Sequence, residues 1–177
     1  LDDGAISGDK LLCVSAESEG KFTVREILDD TENEGKYIES DVIEAVAVIE
    51  RGGTKTVLCE NLTGAINLSE DGDTITVLAN ADAPAALDKR TVWEKQDKNY
   101  VQVEKAINGL TIKAADAVTL TDDAAAVPTV EITGLERIAG TNVTLENLYI
   151  VPSKTLEIAG EGATLKGCYV RAKNTAY

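Results

Sequence analysis

The sequence predicts an all-β protein whose C-terminal part is wound into stacked coils behind a small β-rich module. Three observations predict this class. Two segments, NVTLENLYIV from residue 142 and GATLKGCYVR from residue 162, match at an offset of 20. Short runs of alternating apolar and polar residues, typical of strands, recur after residue 109. The core-forming residues are mainly Val, Ile, Leu and Ala, with one Trp and one Phe, which suits thin interiors lined by strands.

Residues 1–56 are predicted to form the separate β-rich module. Two hairpins are indicated, one turning at Ala16–Gly20 and one at Arg51–Thr54, because β-branched or apolar runs flank each turn. The segment between the hairpins is also compatible with two short helices around an acidic loop, although crowded β-branched residues favour a strand at Val46–Ile49. The first 50 residues carry 14 acidic and four basic side chains. This imbalance indicates either a distinct module or an acidic, solvated face.

Residues 57–177 are predicted to begin with a short apolar stripe at Leu62–Leu68, followed by a strand at Thr74–Leu78. The charged segment Pro84–Lys105 contains the only Trp, and we expect it to be a loop or insertion with a strand at Tyr100–Val103. The later segments LTIKA, VEITG and LEIAG resemble one another, at residues 110, 130 and 156. Repeats of strand size at spacings of this order are typical of coils that must stack to bury their apolar edges.

Parallel stacking of consecutive coils would explain why one strand is written twice. Residues 20 apart would then become vertical neighbours, with apolar side chains in inward columns. Glu146 and Lys166 would form an outward ion pair, and the chain would bend at Asn147 and Gly167. The predicted inward pairs are Leu145/Leu165, Leu148/Cys168 and Ile150/Val170, and the outward aromatic pair is Tyr149/Tyr169. The alternative is an antiparallel β-sandwich in which the two strands are similar by chance.

Residues 61–171 resemble the right-handed parallel β-helix proteins of the pectate-lyase-like superfamily, especially the repeat-containing regions of bacterial cell-surface and secreted proteins. The likeness rests on NLTGAINLSEDGDTITVLANAD (61–82), GLTIKAADAVTLTD (109–122) and GTNVTLENLYIV (140–151). It implies an amphipathic helix at Leu62–Leu68 that caps the N-terminal end of the stack, and a first rung at Gly72–Leu78. Residues 1–60 lie outside the resemblance.

The expected function is that of a non-catalytic, exported bacterial surface or structural protein, adhesive or assembly-forming through its β-helix. The expected location is extracellular or at the cell surface, and the expected partners are a second copy or a carbohydrate. One alternative is a polysaccharide-binding or polysaccharide-lyase-like β-helix, and another is a virion or filament subunit. Because the chain begins at Leu1 and contains no Met, we expect that an upstream segment, such as an export signal, has been removed.

Composition argues against several other classes. The net charge of −14 disfavours nucleic acid and anionic membrane surfaces, since both require clustered Lys and Arg. No apolar run reaches the length of about 20 residues that a membrane-spanning helix needs. The chain has no His, which removes the usual general base and a common metal ligand. The outward charges after residue 109 are expected to be isolated, so no catalytic residues are predicted.

Two candidate sites remain. Tyr149 and Tyr169, flanked by Glu146 and Lys166, could form a surface platform for a ligand such as a sugar; more often such columns only cover a sheet. Residues 30–41 resemble a calcium loop with Gly35 at the sharp turn, although the carboxylate lengths are reversed for that cage and an acidic surface turn is the alternative. The carboxylates of this loop would be Asp30, Glu32, Glu34 and Asp41. No other cofactor is expected.

The three cysteines are too far apart for a zinc site. Cys168 is predicted to pack as a small apolar residue in an inward column. Cys13 and Cys59 lie in different predicted hairpins, where they would form a disulfide if the hairpins meet and would otherwise be buried thiols.

Overall fold

A computed structural model describes residues 5–7, 10–18, 21–27, 37–39, 43–53, 55–97, 99–115 and 128–171. The described part of the chain is all-β apart from one short helix, as predicted. Its first sheet is antiparallel, with β3 (Lys21–Ile27) pairing β2 (Lys10–Ser18), β4 (Tyr37–Glu39) and β5 (Ile43–Glu44). This arrangement includes the predicted first hairpin. The strands of this sheet are β1 (Ala5–Ser7), β2 (Lys10–Ser18), β3 (Lys21–Ile27), β4 (Tyr37–Glu39) and β5 (Ile43–Glu44).

The second predicted hairpin is formed by β6 (Ala47–Arg51) and β7 (Lys55–Cys59). It crosses the predicted module boundary at residue 56, because β6 also pairs antiparallel with β8 (Thr74–Val77). The chain between β7 and β8 forms α1 (Leu62–Leu68), the short helix that the resemblance implied. Asn61 is its N-cap, and the Asn61 side chain accepts a hydrogen bond from the Gly64 backbone N–H at 2.6 Å. Leu62, Ala65 and Ile66 of the helix are buried, so α1 packs its apolar face into the core.

From β8 onward the chain visits three parallel ladders in a constant order. The first ladder is joined to the β6–β7 hairpin, so that the six-stranded sheet is mixed in direction. We call one passage through the three ladders a circuit. The first ladder contains β8, β13 (Thr111–Ala114), β16 (Thr144–Glu146) and β19 (Thr164–Lys166); the second contains β9 (Ala81–Asp82), β14 (Glu131–Thr133), β17 (Tyr149–Val151) and β20 (Tyr169–Val170); the third contains β10 (Ala86–Leu87), β15 (Arg137–Ile138) and β18 (Glu157–Ile158).

The predicted register at an offset of 20 is confirmed. Leu145 pairs with Leu165 and Tyr149 with Tyr169, in parallel. An antiparallel sandwich would have paired these segments in opposite directions. The earlier circuits are longer, because Thr74 pairs with Thr111 and Thr111 with Thr144. An antiparallel hairpin lengthens the first circuit, and residues 116–127, which lie outside the described part, lengthen the second.

That hairpin, formed by β11 (Lys89–Gln96) and β12 (Asn99–Ala106), occupies most of the segment Pro84–Lys105. The predicted strand at Tyr100–Val103 lies within β12, whereas the other strand of the insertion, β11, was not predicted. The two strands pair over their full length, from Lys89 with Ala106 to Gln96 with Asn99. In β12, Val101 and Val103 alternate with more exposed neighbours, a pattern typical of a two-stranded ribbon with one solvated face.

The interior is a set of apolar columns that run through the circuits. In the first ladder Ile75, Ile112 and Leu145 are fully buried and in register, and Leu165 continues the column. Burying each such aliphatic side chain contributes about 1.5–3 kcal/mol, so the columns dominate the energetics of the stack. Corresponding columns run through the other two ladders. They contain Ala81, Ile132, Ile150 and Val170 in the second ladder, and Leu87, Ile138 and Ile158 in the third.

The predicted bend between the first two ladders is confirmed at Asn147 and Gly167. Their φ angles are +55° and +62°, in the left-handed region that Asn and Gly tolerate best. The Asn147 backbone N–H donates to the Lys166 carbonyl at 2.9 Å, which holds the two bends one above the other.

The similarity of LTIKA, VEITG and LEIAG does not reflect vertical stacking. These segments contain β13, β14 and β18, which belong to the first, second and third ladders, respectively. Their common pattern arises because a strand in any of the three ladders alternates one inward apolar residue with outward polar neighbours.

Candidate functional site

The predicted tyrosine platform is present, with a different geometry. The ring centroids of Tyr149 and Tyr169 lie 5.2 Å apart at an interplanar angle of 61°. This is an edge-to-face contact, which aromatic rings favour over a face-to-face sandwich. The pair therefore covers the second ladder without offering one continuous flat face to a ligand.

The predicted outward ion pair is also present. Lys166 Nζ lies 2.8 Å from Glu146 Oε1, and the Lys166 side chain is well exposed. The pair belongs to the first ladder, whereas the tyrosines belong to the second, beyond the bend at Asn147 and Gly167. Because the pair joins β16 to β19, it supports the strand register.

The four carboxylates of the candidate calcium loop, Asp30, Glu32, Glu34 and Asp41, lie outside the described residues. The calcium site therefore stays a prediction. Among the residues that the structure describes, no three His, Cys, Asp or Glu side chains are grouped to hold a metal ion.

The expectation that the outward charges are isolated was wrong for several of them. Arg137 Nε lies 3.3 Å from Glu157 Oε2, and Lys113 Nζ lies 3.7 Å from Glu50 Oε2. Glu131 and Glu157 do not share a ladder, because Glu131 starts β14 and Glu157 starts β18. The pair Arg137–Glu157 joins the neighbouring strands β15 and β18, whereas Lys113–Glu50 reaches across β8. Such exposed ion pairs contribute about 0.2–1 kcal/mol each.

Cys59 and Cys168 are free thiols, so the alternative of a Cys13–Cys59 disulfide is not realised. Burial raises the pKa of the Cys59 thiol to about 11, which keeps it protonated and unreactive at neutral pH. Cys168 packs against the core as predicted, and its Sγ lies 3.3 Å from the Leu145 carbonyl oxygen. Burial raises the pKa of Cys168 also. Neither thiol has the features of a nucleophile.

A cavity of about 530 Å³ lies between α1 and the β11–β12 hairpin. We call it the hairpin cavity. It was not predicted from the sequence, although the single Trp in a charged insertion was a signal that could have pointed to it. Its wall includes Asn67, Leu68, Arg90, Trp93, Gln102 and Lys105.

Arg90 is the most constrained side chain in the cavity wall. It is only 6% exposed, and its Nη2 donates to Asp71 Oδ1 at 2.6 Å. This hydrogen bond lowers the pKa of the Asp71 carboxyl below its usual value. Arg90 Nη1 is buried and has no hydrogen-bond partner among the described residues. A buried guanidinium with one unsatisfied nitrogen is unusual, since leaving a buried donor unpaired costs about 1–3 kcal/mol.

One hydrogen bond joins the helix to the hairpin, and further hydrogen bonds anchor the turn that follows the helix. The Thr91 backbone N–H donates to Asn67 Oδ1 at 3.0 Å, which fastens β11 to the last turn of α1. Below the helix, Arg51 donates through Nε and Nη2 to the buried Asp73 and through Nη1 to Glu70. These contacts fix the position of Glu70 and of the turn after α1, so the cavity is built on anchored elements.

The last circuit presents a second surface of interest. Among the described strands, β18, β19 and β20 each pair on one side only. Ile158 and Val170, which continue the inward columns, are 51% and 42% exposed, and Tyr169 is 45% exposed. We call the surface formed by these three strands the end face. Exposed strand edges beside exposed apolar side chains favour pairing with further β-structure.

No protein-family model, no curated protein and no solved structure matches the chain. Of the helices in the described part, none is long and apolar enough to cross a membrane. The features of the described part that bear on function are the Tyr149–Tyr169 pair, the hairpin cavity and the end face.

Proposed function

We propose that residues 61–171 form a short right-handed parallel β-helix of the pectate-lyase-like type. The supporting observation is that the chain passes through three parallel ladders in a constant order, with apolar columns inside. Connections between parallel strands of one sheet are right-handed in almost every known case, which supports the handedness. The helix α1 buries its apolar face at the N-terminal side of this stack, where the resemblance implies a cap.

The function that we propose is structural and non-catalytic: an exported bacterial surface protein that assembles or adheres through its β-helix. The end face is the observation that carries this proposal. It combines three strand edges with the open ends of apolar columns, and the partner must match all three edges at once. A second coil of the same three-sided shape meets that requirement, whereas a single extended peptide pairs with only one edge.

We further propose that the occupant of the end face is a second copy of this chain, placed end to end. The opposite side of the stack does not offer a matching surface, because β6 pairs with the free edge of β8 and α1 packs against the core. Among the described ladder strands, only β9 and β10 keep an unpaired edge on that side, so head-to-tail stacking would leave the edge of the first ladder unmatched. An end-to-end arrangement uses the same surface on both copies and closes as a two-fold dimer.

The test is light scattering coupled to size-exclusion chromatography over a range of protein concentrations. We expect a dimer that Ile158→Lys disrupts, because the lysine places a charge on an edge strand of the end face. Leu78→Lys is the matched control, since Leu78 is an exposed apolar residue of the first circuit. It is expected to leave the dimer intact. A monomer at every concentration overturns the proposal, and so does a dimer that Ile158→Lys leaves unchanged.

A virion or filament subunit would instead grow beyond a dimer as the concentration rises, which the same experiment detects. The alternative of a polysaccharide-binding β-helix is favoured by a different observation, the exposed Trp93 in the hairpin cavity.

A further inference from the structure

We propose that the hairpin cavity is a binding site for a neutral saccharide. This inference goes beyond assembly through the end face and does not depend on it, because the cavity lies between α1 and the β11–β12 hairpin. The volume of about 530 Å³ falls within the range of about 300–1,000 Å³ that is typical of small-molecule sites.

The unsatisfied nitrogen of Arg90 indicates that a ligand oxygen belongs in the site. Arg90 lines the cavity, is almost fully buried, and is fixed on one side by Asp71. Its Nη1 lacks an acceptor within the described part of the chain and has almost no accessible surface, so a ligand reaches it only after the side chains that cover it move aside. A hydroxyl or ring oxygen that then accepts from this nitrogen removes the cost of leaving a buried donor unpaired.

Trp93 supplies the apolar surface that such a ligand needs. Its side chain is 39% exposed, and it lines the same cavity as Arg90. An indole ring offers a large, rigid, weakly polar face, and a pyranose ring has one face of C–H groups with hydroxyls around its rim. The amides of Asn67 and Gln102 also line the cavity and provide planar hydrogen-bonding groups for those hydroxyls.

The charges around the cavity favour a neutral ligand over an anion. Arg90 is paired with Asp71, and Lys105 Nζ lies 2.5 Å from Glu94 Oε1. Glu70, the remaining charged residue of the wall, is paired with Arg51 at 2.7 Å. The wall therefore offers no surplus positive charge, and the net charge of −14 repels anions at long range. The described wall has an unpaired hydrogen-bond donor in Arg90 Nη1 but no unpaired charge, so a neutral ligand with acceptor oxygens fits it.

The test uses the intact chain and its single Trp as the reporter. Trp93 fluorescence is titrated with a panel of neutral oligosaccharides made of glucose, xylose, mannose, galactose and N-acetylglucosamine. We expect at least one of them to shift the emission to shorter wavelength and to protect Trp93 from acrylamide quenching. Acidic oligosaccharides and extended peptides of neutral composition are titrated in parallel.

Calorimetry with variants then locates the binding site. Trp93→Ala is expected to weaken binding of the active saccharide about tenfold or more, since buried Trp side chains dominate many binding energies. Arg90→Lys, which keeps the charge opposite Asp71 and removes Nη1, is expected to weaken it as well. The matched control is Tyr100→Ala, because Tyr100 is 41% exposed on the other strand of the hairpin and outside the described cavity wall. We expect the control to bind as the unchanged protein does.

Three results would overturn the proposal. The first is that no neutral saccharide of the panel changes Trp93 fluorescence or releases heat. The second is that a saccharide binds equally well to Trp93→Ala, which places it elsewhere. The third is that only acidic oligosaccharides or only peptides bind, which rejects the ligand class. A monomeric protein that still binds a neutral saccharide through Trp93 would reject end-to-end assembly while supporting this site.

Discussion

Lys166 lies in register with Glu146, and its ammonium nitrogen is 2.8 Å from the Glu146 carboxylate across the parallel pair β16–β19. The two residues are separated by 20 positions in sequence. The contact forms only if the circuit between the two residues has the right length. Loss of the contact would therefore indicate that the last two circuits are no longer stacked in register.

Replacing Lys166 with Ala is expected to lower the free energy of unfolding by only about 0.2–1 kcal/mol, because the pair is largely exposed to solvent. The measurement is urea denaturation at low and at high salt, where screening should reduce the difference. Lys154→Ala is the matched control, since Lys154 is exposed and forms no ion pair within the described residues. Equal effects of the two substitutions would contradict a role for the pair in the register.

Leu145→Ala is expected to destabilise the protein much more, by about 2–5 kcal/mol, because it leaves a cavity in the centre of a fully buried column. Leu165→Ala should cost clearly less, because Leu165 is only partly buried in the last circuit. Urea midpoints at unchanged slope provide the comparison. A larger loss of unfolding free energy for Leu165→Ala than for Leu145→Ala would contradict the burial of Leu145 in the middle of the column.

Gly167→Ala is expected to lower the free energy of unfolding by about 1–3 kcal/mol. The residue has φ of +62°, and an added Cβ would contact the Asn147 side chain. Gly52→Ala separates the two causes, because Gly52 has φ of +58° and nothing within 4 Å of the position of a Cβ. Thermal unfolding of both variants is the measurement. A loss at Gly167 no larger than that at Gly52 would mean that the stacked bends do not constrain each other.

The buried Cys59 thiol gives a prediction for alkaline pH. Its pKa rises from 9.0 to about 11 in the folded protein, so the unfolded chain loses the proton first as the pH rises. The stability contributed by the protonated thiol is therefore complete below pH 9.0 and is lost progressively towards pH 11.

Cys59→Ala is the variant that isolates this effect. Because it has no thiol at position 59 to titrate, its free energy of unfolding should fall less steeply than that of the unchanged protein over the same alkaline range. Urea denaturation at a series of pH values provides the slopes. Parallel slopes for the two proteins would contradict the assigned burial, as would fast modification of Cys59 by a thiol reagent in the folded state.

The repeat between residues 142–151 and 162–171 was sufficient to predict the register of the last two circuits, including the pairing of Leu145 with Leu165. A 20-residue period with the same inward and outward alternation leaves one parallel pairing that keeps every apolar side chain inside. The helix at Leu62–Leu68 was implied only by the family resemblance, although an Asn before the apolar stripe is a residue typical of the N-cap position.

The length of the earlier circuits was not predictable in the same way. Insertions interrupt the period without altering the pattern within each strand, so Thr74 and Thr111 could not be matched from spacing alone. For the same reason LTIKA, VEITG and LEIAG were similar in sequence but belong to different ladders. The ion pairs between ladder strands, such as Arg137 with Glu157, likewise depend on which strands become neighbours.

The sequence by itself determined the all-β class, the first two hairpins and the vertical pairs of the last repeat, because these depend on local pattern and on one uninterrupted period. The tertiary structure alone decided the hairpin cavity. Trp93, Arg90 and Asn67 come from a helix and an inserted hairpin whose mutual position is set by the packing of α1 and by single hydrogen bonds. Such contacts between non-repeating elements leave no periodic trace in the sequence, and only the folded chain brings them together.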